Sequence, residues 1–157
     1  MFNHFTSPAV QALVWARNEA ERLNGECIDA EHLLLGLLST AGRANELLSR
    51  ENANLAEWRE KILKSLEADS QPFTAEQIKF TTRTRTVINR CIAEARGDTH
   101  IGTEHLLLAL ASITDGLVGV VLSDAGVTAH KLRLSLNEYL AGHPASEEEF
   151  KSLDFLG

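Results

Sequence analysis

Two Glu-His pairs stand out as groups that could do chemistry: Glu31-His32 and Glu104-His105, each followed by three leucines. A histidine beside a carboxylate is raw material for a zinc site or for general acid–base catalysis. Either task needs partners that Glu-His alone does not supply. Zinc needs further ligands at suitable spacing. Acyl transfer needs a serine or cysteine nucleophile in a recognisable setting, and no nucleophile motif marks one here. The reading that remains for His32 and His105 is structural hydrogen bonding on the first turn of a helix. Cys27 and Cys91 have no CxxC spacing, so a reduced protein with two small buried hydrophobes is expected, rather than a disulfide scaffold. No Gly-x4-Gly-Lys-Ser/Thr phosphate loop occurs, so nucleotide hydrolysis of that kind is not expected of these residues. The chain is expected not to be an enzyme and to need no cofactor or metal.

Charge narrows the function classes. The net charge is −7, whereas a general nucleic-acid binder is normally basic, because phosphate contacts supply most of its affinity. The acid is unevenly spread. Residues 1–78 hold 7 basic and 12 acidic side chains, and residues 79–157 hold 8 and 10. Without residues 144–157 the second half is 7 basic against 6 acidic. No apolar stretch approaches the roughly 18 residues that span a bilayer, and the N-terminus has no basic region followed by an apolar run. A cytoplasmic protein without nucleic-acid or membrane partners is the expectation.

The Glu-His pairs belong to a repeat. Ile28 through Leu38 matches Ile101 through Ala111 with seven of eleven residues identical, at an offset of 73. Upstream, Phe5-Thr6 pairs with Phe80-Thr81 and Glu19-Ala20 with Glu94-Ala95, at an offset of 75. Downstream, Leu48, Trp58, Ile62 and Leu66 pair with Leu122, Leu132, Leu136 and Leu140, at an offset of 74. The order of matches is kept from end to end, so the chain is a tandem repeat.

Each copy reads as four helices. Val87, Ile88, Cys91, Ile92 and Ala95 form a helical stripe in the first helix of copy two, and Val10, Leu13, Val14 and Ala20 form a weaker one in copy one. The Glu-His-Leu-Leu-Leu segment is apolar nearly all round and predicts the buried central helix, with Asp29 and Thr103 as N-caps. A short third helix is predicted around Ala44–Arg50 and Leu117–Ala125. A fourth begins near Asn54, with Glu57 in a capping-box position, and its twin begins near Val127-Thr128. No run has strand character. The expected fold is all-α: two pseudo-symmetric four-helix repeats packed as one eight-helix domain. Repeat one would span 1–67, the linker 68–79 and repeat two 80–143, with an acidic and apolar tail over 144–157. That tail holds Glu147-Glu148-Glu149, Phe150, Leu153, Phe155 and Leu156, and reads equally as a docking peptide, a linker start or a segment folded on the body.

These residues carry a family resemblance. Phe5-Thr6, Ile28 through Leu37, Phe80-Thr81, Glu94-Ala95-Arg96 and Ile101-Gly102-Thr103-Glu104-His105-Leu106-Leu107-Leu108 resemble the double Clp N-terminal (Clp repeat) domain of Hsp100 ATPases, closest to the ClpC type. The resemblance implies a protein-binding module that recognises substrates or adaptors for an ATP-dependent unfoldase–protease. The implied partners are a Clp/Hsp100 ATPase or protease complex, adaptor proteins and client proteins. The alternative is a free-standing structural or regulatory accessory subunit of a Clp complex without client binding.

It also implies ligand sites. Phosphoarginine would be held by Thr6 with Glu31 and by Thr81 with Glu104: helix N-termini and threonine hydroxyls suit the phosphate, and a carboxylate suits the guanidinium. Read from the residues alone, Thr6 and Thr81 are equally well simple N-caps, and Glu31 and Glu104 equally well offset their helix dipoles. An apolar partner surface would use Phe2, Phe5 and Phe80, bordered by Arg85; core packing is the plainer reading of Phe5 and Phe80. Copy one departs from the family pattern with Asp29-Ala30 where Gly-Thr is usual. Copy two keeps that pattern and has Lys79, Arg83 and Arg85 around its first helix, so it is expected to bind an anionic ligand more tightly.

Overall fold

The computed structural model describes residues 4–22, 27–68, 79–95, 100–113 and 116–142. Repeat one holds α1 (Ser7–Arg22), β1 (Cys27–Ile28), α2 (Ala30–Leu38), α3 (Arg43–Arg50) and α4 (Leu55–Ala68). Repeat two holds β2 (Lys79–Phe80), α5 (Thr82–Glu94), α6 (Thr103–Ala111), α7 (Gly116–Asp124) and α8 (Ala129–Gly142). Phe2, the residues joining α4 to β2, and the tail lie outside the described residues.

Local chemistry sets the helix starts. The first four N–H groups of a helix lack intrahelical acceptors, so a side-chain oxygen just before the helix stabilises it. Thr6 Oγ1 accepts the Ala9 N–H at 3.2 Å, and Thr81 Oγ1 accepts the Thr84 N–H at 3.1 Å. Asn54 Oδ1 accepts from Glu57 N–H and Thr128 Oγ1 from Lys131 N–H, each at 3.1 Å. Pro8 falls in the first turn of α1, where a missing N–H costs nothing.

The central helices use histidine instead of glutamate in the box. Asp29 N–H donates to His32 Nδ1 and Gly102 N–H donates to His105 Nδ1, both at 2.9 Å. Asp29 also accepts the Ala30 N–H at 2.7 Å, so it caps α2 as the sequence implies. Thr103 does not cap α6. Gly102 holds that position, and Thr103 is the first helical residue. The one-residue shift frees its hydroxyl for a different task, described below.

One continuous core runs through both copies, with α2 and α6 at its centre. Leu33, Leu34, Leu37, Leu106, Leu107 and Leu110 expose no surface, worth about 1.5–3 kcal/mol each on transfer out of water. Against α2, α1 buries Ala9, Ala12, Ala16 and Ala20 completely. Val10 and Val14, which the helical stripe suggested for the core, stay partly in solvent at 38% and 45% exposure. Gly36 explains the difference. A Cβ there would stand 2.2 Å from the Ala12 carbonyl oxygen, so the two helices meet backbone to backbone and only alanine fits between them.

The two strands were not legible in the sequence. β1 and β2 pair in parallel, with Cys27 opposite Lys79 and Ile28 opposite Phe80. A bridge joins Phe5 to Ile101, also in parallel. Phe5 is the repeat twin of Phe80, and Ile101 of Ile28, so the two pairings are one contact made twice. Each crosses between copies: the start of one repeat docks on the approach to the central helix of the other.

Candidate functional site

The crosswise pairing decides which side chains meet. Thr81 N–H donates to the Ile28 carbonyl at 3.1 Å, and Thr6 N–H donates to the Ile101 carbonyl at 2.9 Å. The α5 start therefore sits beside the α2 start, which carries Glu31. The α1 start sits beside the α6 start, which carries Glu104. The backbone thus groups Thr81 with Glu31 and Thr6 with the Glu104 helix, not Thr6 with Glu31 or Thr81 with Glu104.

The first cluster gathers three helix starts. Thr81 Oγ1 lies 3.3 Å from Asp29 Oδ1 and 2.9 Å from Thr84 Oγ1, while Thr84 Oγ1 donates to the Ile28 carbonyl at 2.8 Å. The Glu31 side chain, 12% exposed, lies 3.9 Å from Arg83 Nη1, too far for a hydrogen bond. Its own backbone N–H and that of Leu117, at the beginning of α7, lie near the Glu31 carboxylate and favour its charged form. Burial holds its pKa above the usual carboxylate range; Asp29 adds to the rise, while the two N–H groups and Arg83 oppose it. Gly116, at φ 72°, lets the start of α7 close on Arg83: a Cβ there would come within 2.5 Å of Nη1. Arg85 is exposed two residues further along α5.

The second cluster is built differently. Glu104 Oε2 accepts from Arg43 Nη1 at 2.8 Å, and the two side chains are 3% and 8% exposed. The Thr103 hydroxyl accepts the Ala44 N–H at 3.0 Å, so repeat two caps α3 of repeat one. The Arg43 guanidinium also lies 5.7 Å from the Tyr139 ring centroid, with Arg50 at 5.3 Å, a double cation–π contact. Glu104 Oε1 is buried without a hydrogen-bond partner among the described residues. His105 Nδ1, 4.0 Å away, does not serve it, because that nitrogen already accepts the Gly102 N–H.

Sequence reasoning missed Arg43, Thr84, Thr103 and Tyr139. Only Arg43 had left a signal: its repeat twin is Leu117, and a charge standing where the twin is apolar marks a changed site. Phe5 is 6% exposed and packs in the core, so it offers a partner little surface. Phe80 is half-buried against the same core. Cys91 is buried as expected, whereas Cys27 at the edge of β1 is exposed.

Burial lowers the pKa of His32, which keeps it neutral and accepting at Nδ1. Among the described residues no group of three or more His, Cys, Asp and Glu is placed to hold a metal, and no single helix is long and apolar enough to cross a membrane.

Comparisons with known proteins agree with this architecture. The sequence model of the Clp repeat (R) N-terminal domain matches residues 4–121 and 79–154. The ATP-dependent Clp protease ATP-binding subunit ClpA homolog of Porphyra purpurea is 34% identical over 143 residues, covering 89% of this chain and 17% of that protein. The chloroplastic chaperone protein ClpC1 of Arabidopsis thaliana is 35% identical over 136 residues, covering 85% of this chain and 14% of that protein. The chain thus spans about one sixth of the length of such relatives. The N-terminal domain of the chaperone ClpD from Arabidopsis thaliana superposes with a TM-score of 0.67 at 25% identity, over 90% of this chain and 97% of that one. The Hsp104 N-terminal domain from Candida albicans shares the fold, with a TM-score of 0.71 at 15% identity over 85% and 89% of the two chains. By residues, fold and relatives together, the chain belongs to the Clp repeat (R) N-terminal domain family.

Proposed function

We propose that this domain is the ligand-receiving module of a Clp/Hsp100 ATP-dependent unfoldase, and that it takes client or adaptor segments carrying phosphoarginine. The observation that carries the reading is the pairing of Glu31 with Arg83 across 3.9 Å at the start of α5. A half-buried carboxylate favours a guanidinium, and the cation of Arg83 at the positive end of a helix favours a phosphate. Phosphoarginine has both charges a few ångströms apart in one side chain. Thr81, at the same helix start, adds a hydroxyl. Clp ATPases, adaptors and clients are the partners this reading names.

The test is calorimetric titration of free phosphoarginine against the wild type and Glu31→Gln. Saturable heat in the wild type, weakened about tenfold or more in the variant, is the expected result for a lost charge-assisted bond. Absence of heat in the wild type at millimolar ligand would overturn the phosphoarginine reading. Co-purification of a Clp assembly with no client or adaptor bound would then favour an accessory subunit.

A further inference from the structure

We infer that Arg43 is an internal ligand of Glu104, and that it closes one of the two pseudo-equivalent carboxylate sites and leaves the Glu31 site as the sole receiver of an external guanidinium. The inference rests on the ligand reading above and specifies where it operates. Glu31 and Glu104 are repeat twins on the first turns of α2 and α6, yet their cations come from positions that are not twins. Glu104 faces Arg43 on α3, whose twin on α7 is Leu117. Glu31 faces Arg83 on α5, whose twin on α1 is Pro8.

The two cations differ in how easily a ligand can displace them. The Arg83 side chain is 35% exposed and stands 3.9 Å from its carboxylate, outside hydrogen-bond distance, so the Glu31 oxygens are not taken up by it. Arg43 is hydrogen-bonded at 2.8 Å, 8% exposed and stacked on Tyr139. Arg43 also opens α3, whose first turn Thr103 holds through the Ala44 N–H. The second oxygen of Glu104 is buried and unpartnered, which is the state of a carboxylate built for a two-pronged guanidinium and holding only one prong.

The anion side of this site is altered as well. At the α1 start Pro8 and Val10 stand where α5 has Arg83 and Arg85, so the α1 start lacks those two cations. The basic rim of copy two therefore serves the carboxylate of copy one. The expectation that copy two binds more tightly, with Glu104 as its acid, has this geometry against it.

The experiment uses phosphoarginine as the probe on the whole chain. Calorimetry of the wild type should give one equivalent bound. Hydrogen–deuterium exchange should show ligand protection at the α5 start, residues 81–84, and none at the α1 start, residues 6–9. Arg43→Leu, which copies Leu117, should add a second, weaker equivalent and protection at 6–9, and Arg43→Leu/Glu104→Gln should lose both again. Two equivalents in the wild type, or wild-type protection at both starts, would overturn the closure while leaving the phosphoarginine reading intact. One equivalent protecting only 6–9 overturns it too. Silence in the wild type and in Arg43→Leu overturns the ligand reading, and the closure with it. The wild-type exchange measurement decides the matter even where Arg43→Leu fails to fold.

Discussion

Arg43 and Glu104, 61 residues apart in the chain, form a buried ion pair at 2.8 Å that ties α3 of one repeat to α6 of the other. A buried pair is a poor source of net stability, because desolvating two charges offsets most of their attraction. Breaking it from one side is costly, because the survivor stays buried and charged. Arg43→Leu is expected to lower the unfolding free energy by about 3–5 kcal/mol in urea denaturation. Arg43→Leu/Glu104→Leu should recover most of that loss. A double variant as unstable as the single one would mean that the stacking of Arg43 on Tyr139, not the ion pair, supplies the stability.

Gly36 sets the distance between α1 and α2, since a Cβ would meet the Ala12 carbonyl oxygen at 2.2 Å. Gly36→Ala should destabilise the domain by about 1–3 kcal/mol, the usual range for overpacking, although alanine is the better helix former. The repeat twin, Ala109, is an alanine that α6 buries without exposure. Thermal melts compare the two positions. A raised Tm in Gly36→Ala would show that the helices separate freely.

Glu31 titrates above its unfolded value of 4.5, chiefly because burial disfavours the charge. A carboxyl with a raised folded pKa holds its proton more tightly in the folded state. Its stabilising effect is present below the unfolded pKa and is lost as pH rises through the folded one. Glu31→Gln removes that loss. Its Tm relative to wild type is expected to be higher at pH 7 than at pH 4, and a pH-independent difference would contradict the assigned cause.

His32 titrates below its unfolded value of 6.5, again chiefly through burial. The folded protein then binds a proton less readily than the unfolded chain. Stability contributed by neutral His32 is present above pH 6.5 and is lost as pH falls toward the folded pKa. Chemical denaturation between pH 7.5 and pH 5 measures the slope, and His32→Asn should flatten it.

The sequence carried the helices because their signals are local: a stripe of apolar residues, a capping threonine, a histidine on the first turn. α3 and α7 each begin one residue before their expected starts, at Arg43 and Gly116. The site was less legible. Thr6, Glu31, Thr81 and Glu104 could each be named as groups, but which meets which depends on two short ladders of long-range backbone bonds, Ile28 with Phe80 and Phe5 with Ile101. Two-residue strands have no periodicity to read. Ala9, Ala12 and Ala16 were hidden as core residues for a related reason: an alanine face marks a close helix contact only once the opposing glycine is known to lie against it.

The same two ladders give the chain the topology of a dimer whose subunits have been fused. Each half-chain lends its leading residues to the other half, as two separate copies of a single repeat would do in an exchanged pair. Fusion makes that association intramolecular, at an effective concentration in the millimolar range for a short tether, so dilution does not part the halves. It also releases the halves from identity. A symmetric dimer must carry the same residue at both equivalent positions, whereas one chain can place Leu117 beside one carboxylate and Arg43 beside the other.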